Sequence, residues 1–377
     1  MRPHRWLTLA LIVMSPALLM DLGLRLLEDR EIGPGGLITL DSPAMPDTVR
    51  IGEHTLAVTG AFVQDVQSDR LSLRAWAPTP NIRVIHPGNS DPVTVQVENL
   101  PTRVRLDASG PVEQERDGLI RTLRFSPLAT RHLGFIDAER QVSFAVLGDT
   151  GDSPTFIQAL RLAASRGADF LIHAGDLIYR DEQMPHIRDI LATSPLPVFT
   201  VRGNHDYRNA ARIAFMRGLS PPYYTFQLGG ATFIILDNAL SYIPTFWRRS
   251  TQYRWLTDVL GMPAEGPVFV VMHKPPFDLR PDTQGRAMED TGFAQALIRS
   301  FGRAGVDAVF TGHIHASYRW PQDGIPYVIS GEGSTSPEGK DHNRMAWVDV
   351  RGWAVTITQI PIWGTAETGS LRSEGAR

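Results

Sequence analysis

The feature that most constrains this chain is an alternation of apolar runs and amphipathic stretches that starts near Gln141. Residues 142–147 are nearly all apolar, as in strands buried on both faces, and a stretch with Phe156, Leu160 and Ala163 at helical core spacing follows. Further apolar runs occur at residues 169–173, 197–202, 232–236, 268–272 and 308–311. Strands that alternate with helices predict βαβ units and an α/β fold with a largely parallel sheet.

Residues 37–138 have a different pattern. Val93, Val95 and Val97 alternate with polar residues, and clusters of turn-forming residues such as residues 86–89 separate the runs. This pattern predicts a small antiparallel β-sandwich of about seven strands. It contains no clustered metal-ligand residues, so we expect a packing or positioning role.

The N-terminal residues 1–36 resemble a signal peptide or a membrane anchor followed by a linker. A basic start precedes an apolar run at residues 6–20, which is shorter than the ~20 residues that span a bilayer comfortably. The segment predicts an exported or cell-envelope protein, secreted, periplasmic or membrane-anchored, with membrane contact through residues 6–30. The alternative is a buried N-terminal helix of a soluble protein. Residues 33–36 are predicted as a linker, and residues 365–377 as a polar tail.

The composition limits the chemistry. The chain of 377 residues contains no cysteine, which excludes disulfides, thiol nucleophiles and thiolate metal sites. Any bound metal must therefore be held by carboxylate, amide, phenolate or imidazole groups. The formal net charge of -3 argues against a nucleic-acid partner.

Motifs with potential ligand residues follow the apolar strands. They are Gly148-Asp149-Thr150-Gly151, Gly175-Asp176-Leu177-Ile178-Tyr179, Gly203-Asn204-His205-Asp206, Met272-His273-Lys274-Pro275 and Gly312-His313-Ile314-His315. Because α/β sheets bind their ligands at the carboxyl ends of the strands, we expect these motifs to converge. Their oxygen and nitrogen donors are numerous enough for two metal ions.

In their order, these motifs resemble the calcineurin-like metallophosphoesterases, and within them the purple-acid-phosphatase-like branch, over about residues 142–362. Many members of this superfamily have a ligand histidine two residues after the first aspartate, but here that position is Gly151. Purple acid phosphatases share this glycine and use a tyrosine, which corresponds to Tyr179. The resemblance implies a four-layer α/β/β/α sandwich over residues 139–364.

The resemblance also implies two metal ions, an Fe(III) ion suited to phenolate and a divalent iron, zinc or manganese ion. The implied ligands are one set of three for each ion and one bridging residue: Asp149, Tyr179 and His315; Asn204, His273 and His313; and Asp176.

The implied function is hydrolysis of small phosphate mono- or diesters by attack of a metal-bound hydroxide on phosphorus. His205 would donate a proton or hydrogen bond to the leaving oxygen, and Asp206 would orient His205 or raise its pKa. Lys274 is a candidate substrate-binding residue. Salt-bridge roles compete with phosphate binding for Lys274, Arg202 and Arg280.

Other interpretations of the same residues remain open. Asp149 and Asp176 would cap helices if no metal binds, and Tyr179 would be a packing residue. Asp152 competes with Tyr179 for the position left vacant by Gly151, and His173 is predicted to be a packed strand residue. At the level of function, the alternatives are a nuclease of the same superfamily and a non-catalytic binding or scaffold protein with a retained metal site.

Overall fold

The computed structural model describes residues 31–33, 36–38, 47–89, 91–207, 211, 213, 215–239, 251–279, 286–333, 343–363 and 371–372. The chain divides into two compact units, Met1–Pro43 and Ala44–Arg377. In the first unit, strands β1 (Glu31–Gly33) and β2 (Gly36–Ile38) pair antiparallel with Gly33 opposite Gly36. Residues 34 and 35 lie outside the described residues, so the linker at residues 33–36 stays a prediction.

The apolar run at residues 6–20 lies outside the described residues, so the export or anchoring segment stays a prediction. Among the helices that the structure describes, none is both long enough and apolar enough to cross a membrane.

The next described region is a β-sandwich. Its strands are β3 (Asp47–Ile51), β4 (His54–Thr59), β5 (Ala61–Val66), β6 (Arg70–Ala75), β7 (Asn81–His86), β8 (Val93–Glu98), β9 (Arg105–Ala108), β10 (Glu113–Asp117), β11 (Ile120–Phe125) and β12 (His132–Ile136). They form two five-stranded sheets with the orders β10-β11-β8-β6-β5 and β3-β4-β7-β12-β9.

The sandwich differs from the prediction of about seven antiparallel strands. Strand β10 has all five side chains exposed, so it carries no buried alternation that a sequence pattern would reveal. The pairing of β6 with β8 is parallel. The physical reason is that β7 lies in the other sheet, so the chain returns to the first sheet in the same direction.

The rest of the described chain is an α/β region. Its strands are β13 (Gln141–Leu147), β14 (Phe170–His173), β15 (Val198–Thr200), β16 (Tyr224–Leu228), β17 (Ala231–Leu236), β18 (Val268–Met272), β19 (Ala308–Thr311), β20 (Ser317–Gln322), β21 (Ile325–Ser330), β22 (Arg344–Arg351), β23 (Ala354–Pro361) and β24 (Leu371–Arg372). Its helices are α1 (Pro154–Ser165), α2 (Met184–Ala192), α3 (Thr251–Leu260) and α4 (Thr291–Ala304), with a short 3-10 helix (Asp181–Gln183) and a π-helical turn (Phe215–Leu219).

These strands form two six-stranded sheets with the orders β15-β14-β13-β22-β23-β24 and β16-β17-β18-β19-β21-β20. The first sheet is parallel at β13, β14 and β15, and the second at β17, β18, β19 and β21. Strand β20 was not predicted, because it lies at a sheet edge, buries only Trp320 and contains Pro321.

The two six-stranded sheets face each other across a core of phenylalanines. Phe144 of β13 contacts Phe233 of β17 with ring centroids 5.0 Å apart, and Phe170, Phe269 and Phe310 surround the pair. On the outer faces, α1 and α2 pack against the first sheet, and α3 and α4 against the second. The predicted four-layer α/β/β/α sandwich is therefore confirmed.

The β-sandwich shares its core with this α/β region. One cluster of buried apolar side chains runs from the sandwich into the space between the two six-stranded sheets, and Trp76 contacts Tyr224 edge-on at 5.3 Å. Buried Asn99 joins the regions directly: its Nδ2 donates to Val198 O (3.0 Å), and its Oδ1 accepts from Val198 N (2.9 Å). One side-chain amide thus pairs with edge strand β15 as a neighbouring strand would. These contacts support the packing role expected for the sandwich.

Substituting Asn99→Ala should destabilise the protein, because the N–H and C=O of Val198 would be buried without partners. The expected cost is about 1–3 kcal/mol in the free energy of unfolding. Urea unfolding would measure it, with Gln114→Ala at an exposed position of β10 as the control. Equal unfolding midpoints for the two variants would contradict this role of Asn99.

Candidate metal centre

The predicted ligand residues lie just beyond the carboxyl ends of the parallel strands of both sheets. Asp149 follows β13, Asp176 follows β14, and Asn204 follows β15. In the second sheet, His273 follows β18 directly, and His313 follows β19. The parallel arrangement of these strands brings their ends to the same edge, as the sequence predicted.

Three of these residues have left-handed backbone conformations: Asp149 (φ 59°), Asp176 (φ 56°) and His313 (φ 64°). This region is uncommon for residues with a side chain and costs roughly 1–3 kcal/mol where the surrounding structure imposes it. Hydrogen bonds hold it here: Asp149 N donates to Gly175 O (2.9 Å), and His313 N donates to Asp149 Oδ2 (2.8 Å). Strain of this kind, repeated at three strand ends, is typical of functional sites.

Asp176, His273 and His313 form the most compact group, with ligand atoms within 4.8 Å of one another. His273 Nε2 lies 3.4 Å from Asp176 Oδ1 and 3.1 Å from Asn204 Oδ1. On its other side, His273 Nδ1 donates to Ala174 O (2.8 Å). A backbone carbonyl that fixes one ring nitrogen and turns the other toward a carboxylate is the usual support of a metal-binding histidine.

The charges in this group depend on one another. Burial opposes ionisation of Asp176, but the charge and hydrogen bond of His273 hold the pKa of Asp176 below its ordinary value. Burial alone would lower the pKa of His273, yet the carboxylates of Asp176 and Asp149 raise it to about 9. Burial and the nearby His273 lower the pKa of His313 to about 2. His313 is therefore a neutral imidazole with a free lone pair at neutral pH.

Asp149 and His315 form a second group beside the first. His315 Nε2 lies 3.6 Å from Asp149 Oδ1, and this contact raises the pKa of His315. Burial raises the pKa of Asp149. Its Oδ1 is buried and has no hydrogen-bond donor among the described residues. The negative charge on this oxygen is therefore only partly compensated by His315. A cation at this oxygen fits the donor set.

Gly151 lies directly against the Tyr179 ring. A Cβ at position 151 would lie 3.1 Å from Tyr179 Cδ2, tighter than ordinary van der Waals contact. Gly151 also has a left-handed φ of 52°. A side chain at position 151 therefore competes with the tyrosine ring, which gives a steric reason why a glycine here accompanies a tyrosine at position 179. The ring also contacts His205, with centroids 4.5 Å apart.

Asp206 binds the backbone of the loop that carries Asp176. It is fully buried, and its carboxylate accepts hydrogen bonds from the N–H groups of Asp176 (2.8 Å), Ile178 (2.8 Å), Gly203 (2.8 Å) and Leu177 (3.3 Å). Burial raises the pKa of Asp206, the Asp176 carboxylate adds to this, and the backbone donors oppose it. Both oxygens thus accept hydrogen bonds from backbone N–H groups, so Asp206 fixes the loop that carries Asp176. Its predicted effect on the orientation or the pKa of His205 stays a prediction.

Lys274 and Arg202 each form an ion pair with an acidic side chain of the protein. Lys274 is buried, and its Nζ forms an ion pair with Glu289 Oε1 at 2.8 Å. Arg202 is buried beside Asp237, with NH1 3.5 Å from Asp237 Oδ2, and it lies over the ring of Tyr207. Both residues therefore form the alternative salt bridges, and the substrate-binding role of Lys274 stays a prediction.

Two further predictions concern neighbours of the site. Asp152 does not take the place of Tyr179, because its carboxylate contacts Gln183 Nε2 and His186 Nδ1. His173 is fully buried against Phe156, as predicted for a packed strand residue. Arg280 lies outside the described residues.

Two residues that support the site, Asn238 and Gln183, were not predicted from the sequence. Asn238 follows β17 and accepts from Lys274 N (2.9 Å) while donating to Lys274 O (2.6 Å), which fixes the backbone next to His273. Its position after an apolar strand is the signal that could have revealed it. Gln183 accepts hydrogen bonds from the backbone of residues 174–180, the Tyr179 loop, and no short sequence motif predicts this role.

Comparison with known proteins agrees with this geometry. Residues 142–317 match the family model described as calcineurin-like phosphoesterase. This part of the chain belongs to the calcineurin-like phosphoesterase family. The predicted resemblance is therefore confirmed.

Relatives of the phosphoesterase domain include phosphatases. Serine/threonine-protein phosphatase CPPED1 of Danio rerio is 30% identical over 180 residues, which cover 43% of this chain and 58% of that protein. Purple acid phosphatase 21 of Arabidopsis thaliana is 28% identical over 204 residues, which cover 48% of this chain and 45% of that protein. The chain thus spans about half the length of these relatives.

The fold is also similar to a solved structure. Purple acid phosphatase PPD1 from yellow lupin (Lupinus luteus) has a TM-score of 0.51 and 14% identity, and the match covers 81% of this chain and 72% of that one. At this identity the likeness concerns the fold alone.

Metal affinity should rise with pH. In the metal-free protein the pKa of His273 is about 9, so an incoming ion must displace a proton at lower pH. From about pH 6.5 to about pH 9, affinity should increase by up to about tenfold per pH unit and then level off. Calorimetric titration with Zn²⁺ in two buffers of different ionisation enthalpy would measure affinity and proton release. Constant affinity over this range would contradict the protonated state of His273.

Proposed function

We propose that this protein is a metal-dependent phosphoesterase that hydrolyses small phosphate mono- or diesters at a site for two metal ions. The observation that carries the proposal is the convergence of the buried Asp149 and Asp176 carboxylates with His273, His313 and His315 at the edge where the central strands of both sheets end. Such a set of oxygen and nitrogen donors suits divalent and trivalent cations.

The two groups of residues divide the ligands between the ions. Asp149, His315 and Tyr179 would hold one ion, with the buried Asp149 Oδ1 as a ligand atom. Asn204, His273 and His313 would hold the other. Asp176 would be shared by both sets, since its Oδ1 lies 3.4 Å from His273 Nε2 and its charge also acts on Asp149 and His315. A phenolate favours trivalent iron, and the amide and imidazole set favours a divalent iron, zinc or manganese ion.

When bound, such ions acidify water to a pKa near 7 and neutralise charge on phosphoryl oxygens. The protein contributes orientation. Asp206 and the backbone N–H of His205, which donates to Asp176 Oδ1 (2.8 Å), hold the Asp176 carboxylate in one position. Ala174 O holds His273 in the tautomer that presents Nε2 to the site.

His205 is the residue we assign to the leaving group. Its side chain is 28% exposed, whereas Asp176 beside it is buried, and its Nε2 lies 3.9 Å from Asp176 Oδ2. The ring rests against Tyr179, which limits its rotation. A partly exposed imidazole next to the bridging carboxylate can donate a hydrogen bond or a proton to the departing oxygen of the ester.

Substituting Asp176→Ala should abolish hydrolysis. The change removes the bridging ligand, so turnover of p-nitrophenyl phosphate and of bis-p-nitrophenyl phosphate should fall by more than about 100-fold, beyond the usual cost of losing a ligand's supporting partner. Metal content, measured on the same samples, should fall with it. Asp189→Ala, on the exposed face of α2, is the matched control. Retained turnover in Asp176→Ala would refute the two-metal site.

The same substrate panel separates the alternatives. Cleavage of an oligonucleotide in preference to both chromogenic esters would favour the nuclease alternative. A protein with both metals bound but no turnover of any ester would favour the scaffold alternative.

Substituting Tyr179→Phe should remove the colour of the iron-loaded protein. A phenolate bound to Fe(III) absorbs visible light, and phenylalanine keeps the ring while removing the ligand oxygen. The measurement is the visible spectrum of both proteins at equal iron content. An iron-loaded protein that is colourless yet fully active would rule out the phenolate ligand.

A further inference from the structure

Gln183 ends the short 3-10 helix after the Tyr179 loop, and it is 8% exposed. Its Oε1 accepts hydrogen bonds from Tyr179 N (2.9 Å) and Arg180 N (3.0 Å), while its Nε2 donates to Asp152 Oδ1. One amide therefore joins the loop after β13 to the loop after β14. These two loops carry Asp149 and Asp176, the carboxylates of the proposed site.

The amide also confines the Tyr179 ring. A Cβ at Gly151 would lie 3.0 Å from Gln183 Nε2 and 3.1 Å from Tyr179 Cδ2, so the amide and the ring approach Gly151 together. The contact with His205 limits the ring further. Tyrosine has only two side-chain torsions, so a fixed backbone and these neighbours leave its hydroxyl little freedom.

Asp152 anchors the amide. Its second oxygen, Oδ2, lies 3.2 Å from His186 Nδ1, within hydrogen-bond distance. Since His186 belongs to α2, the chain of contacts runs from the Asp149 loop through Gln183 to the helix that follows the Tyr179 loop.

We propose that Gln183, anchored by Asp152, is a positioning residue that holds Tyr179 in place for metal coordination. The inference rests on the proposed function, because it gives Tyr179 the role of a ligand. Glutamine suits this position because its amide offers an acceptor to two backbone N–H groups and a donor to a carboxylate. Methionine keeps the size but offers no comparable hydrogen bond, and glutamate keeps the acceptor but repels Asp152.

The first test is independent of metal. Hydrogen exchange of the Tyr179 and Arg180 amides should be about tenfold faster in metal-free Gln183→Met than in wild type, because both N–H groups lose their acceptor. Gln183→Glu retains the acceptor, so exchange should stay close to the wild-type rate. Glu182→Gln, at the adjacent exposed position, is the matched control. Circular dichroism verifies that each variant is folded.

The second test measures the binding of Tyr179 to iron through the visible absorption band. In iron-loaded protein the visible absorption band should weaken or shift in Gln183→Met and in Gln183→Glu, but not in Glu182→Gln. Combining Gln183→Glu with Asp152→Asn reverses donor and acceptor, so the double variant should regain a band close to the wild-type position. A residue that only stabilises the fold would not give this rescue.

The outcomes separate the two proposals. Unchanged hydrogen exchange of the Tyr179 and Arg180 amides in Gln183→Met would show that Gln183 does not fix this loop, whatever the colour of the protein. Faster exchange with a wild-type band would overturn the positioning role. If the wild-type iron protein has no visible absorption band while amide hydrogen exchange is faster in Gln183→Met, Tyr179 is not a phenolate ligand. In that case the proposed function loses this ligand, but the hydrogen bonds between Gln183 and the Tyr179 loop are supported.

Discussion

The burial of two carboxylates, Asp149 and Asp176, between the ends of two facing sheets is the constraint on which the rest of the site depends. Both are almost completely inaccessible to solvent, so each needs opposite charge or hydrogen-bond donors nearby. His273 supplies charge to Asp176, and backbone N–H groups supply donors to both carboxylates. These partners do not compensate all of the negative charge, most clearly at Asp149 Oδ1. The remaining charge would attract a cation.

Holding carboxylates in this way requires an unusual backbone. Asp149, Asp176 and His313 all adopt left-handed conformations, which turn each side chain toward the site directly after a strand. The loops cannot relax, because a second layer of polar side chains binds their backbone. Asp206 and Gln183 do this for the loop that carries Asp176 and Tyr179, and Asn99 of the β-sandwich does it for strand β15, which leads to Asn204. The sandwich is thus a structural part of the site's support.

Several buried central strands were predicted, but the central strand β21 and the more exposed strands β10 and β20 were not. The strands β18 and β19 lie where their apolar runs placed them, because central strands buried on both faces leave a continuous hydrophobic signature. The edge strand β20 and the exposed strand β10 have no such signature, since few of their side chains face a core. Asp206 and Lys274 were assigned to chemistry because they adjoin site residues in the sequence, yet their side chains are directed at backbone donors and at Glu289.

The sequence by itself determined the family, the order of the strand-end motifs and the residue types available to bind metal. It could do so because strand ends and ligand chemistry are local properties of short segments. Only the tertiary structure decided which side chains face the site and which support it. Asp152, Gln183 and Asp206 depend on contacts between loops that are distant along the chain; Asp152 and Gln183, for example, are 31 positions apart. Burial and hydrogen bonding across such distances set their roles, and no short segment of sequence encodes them.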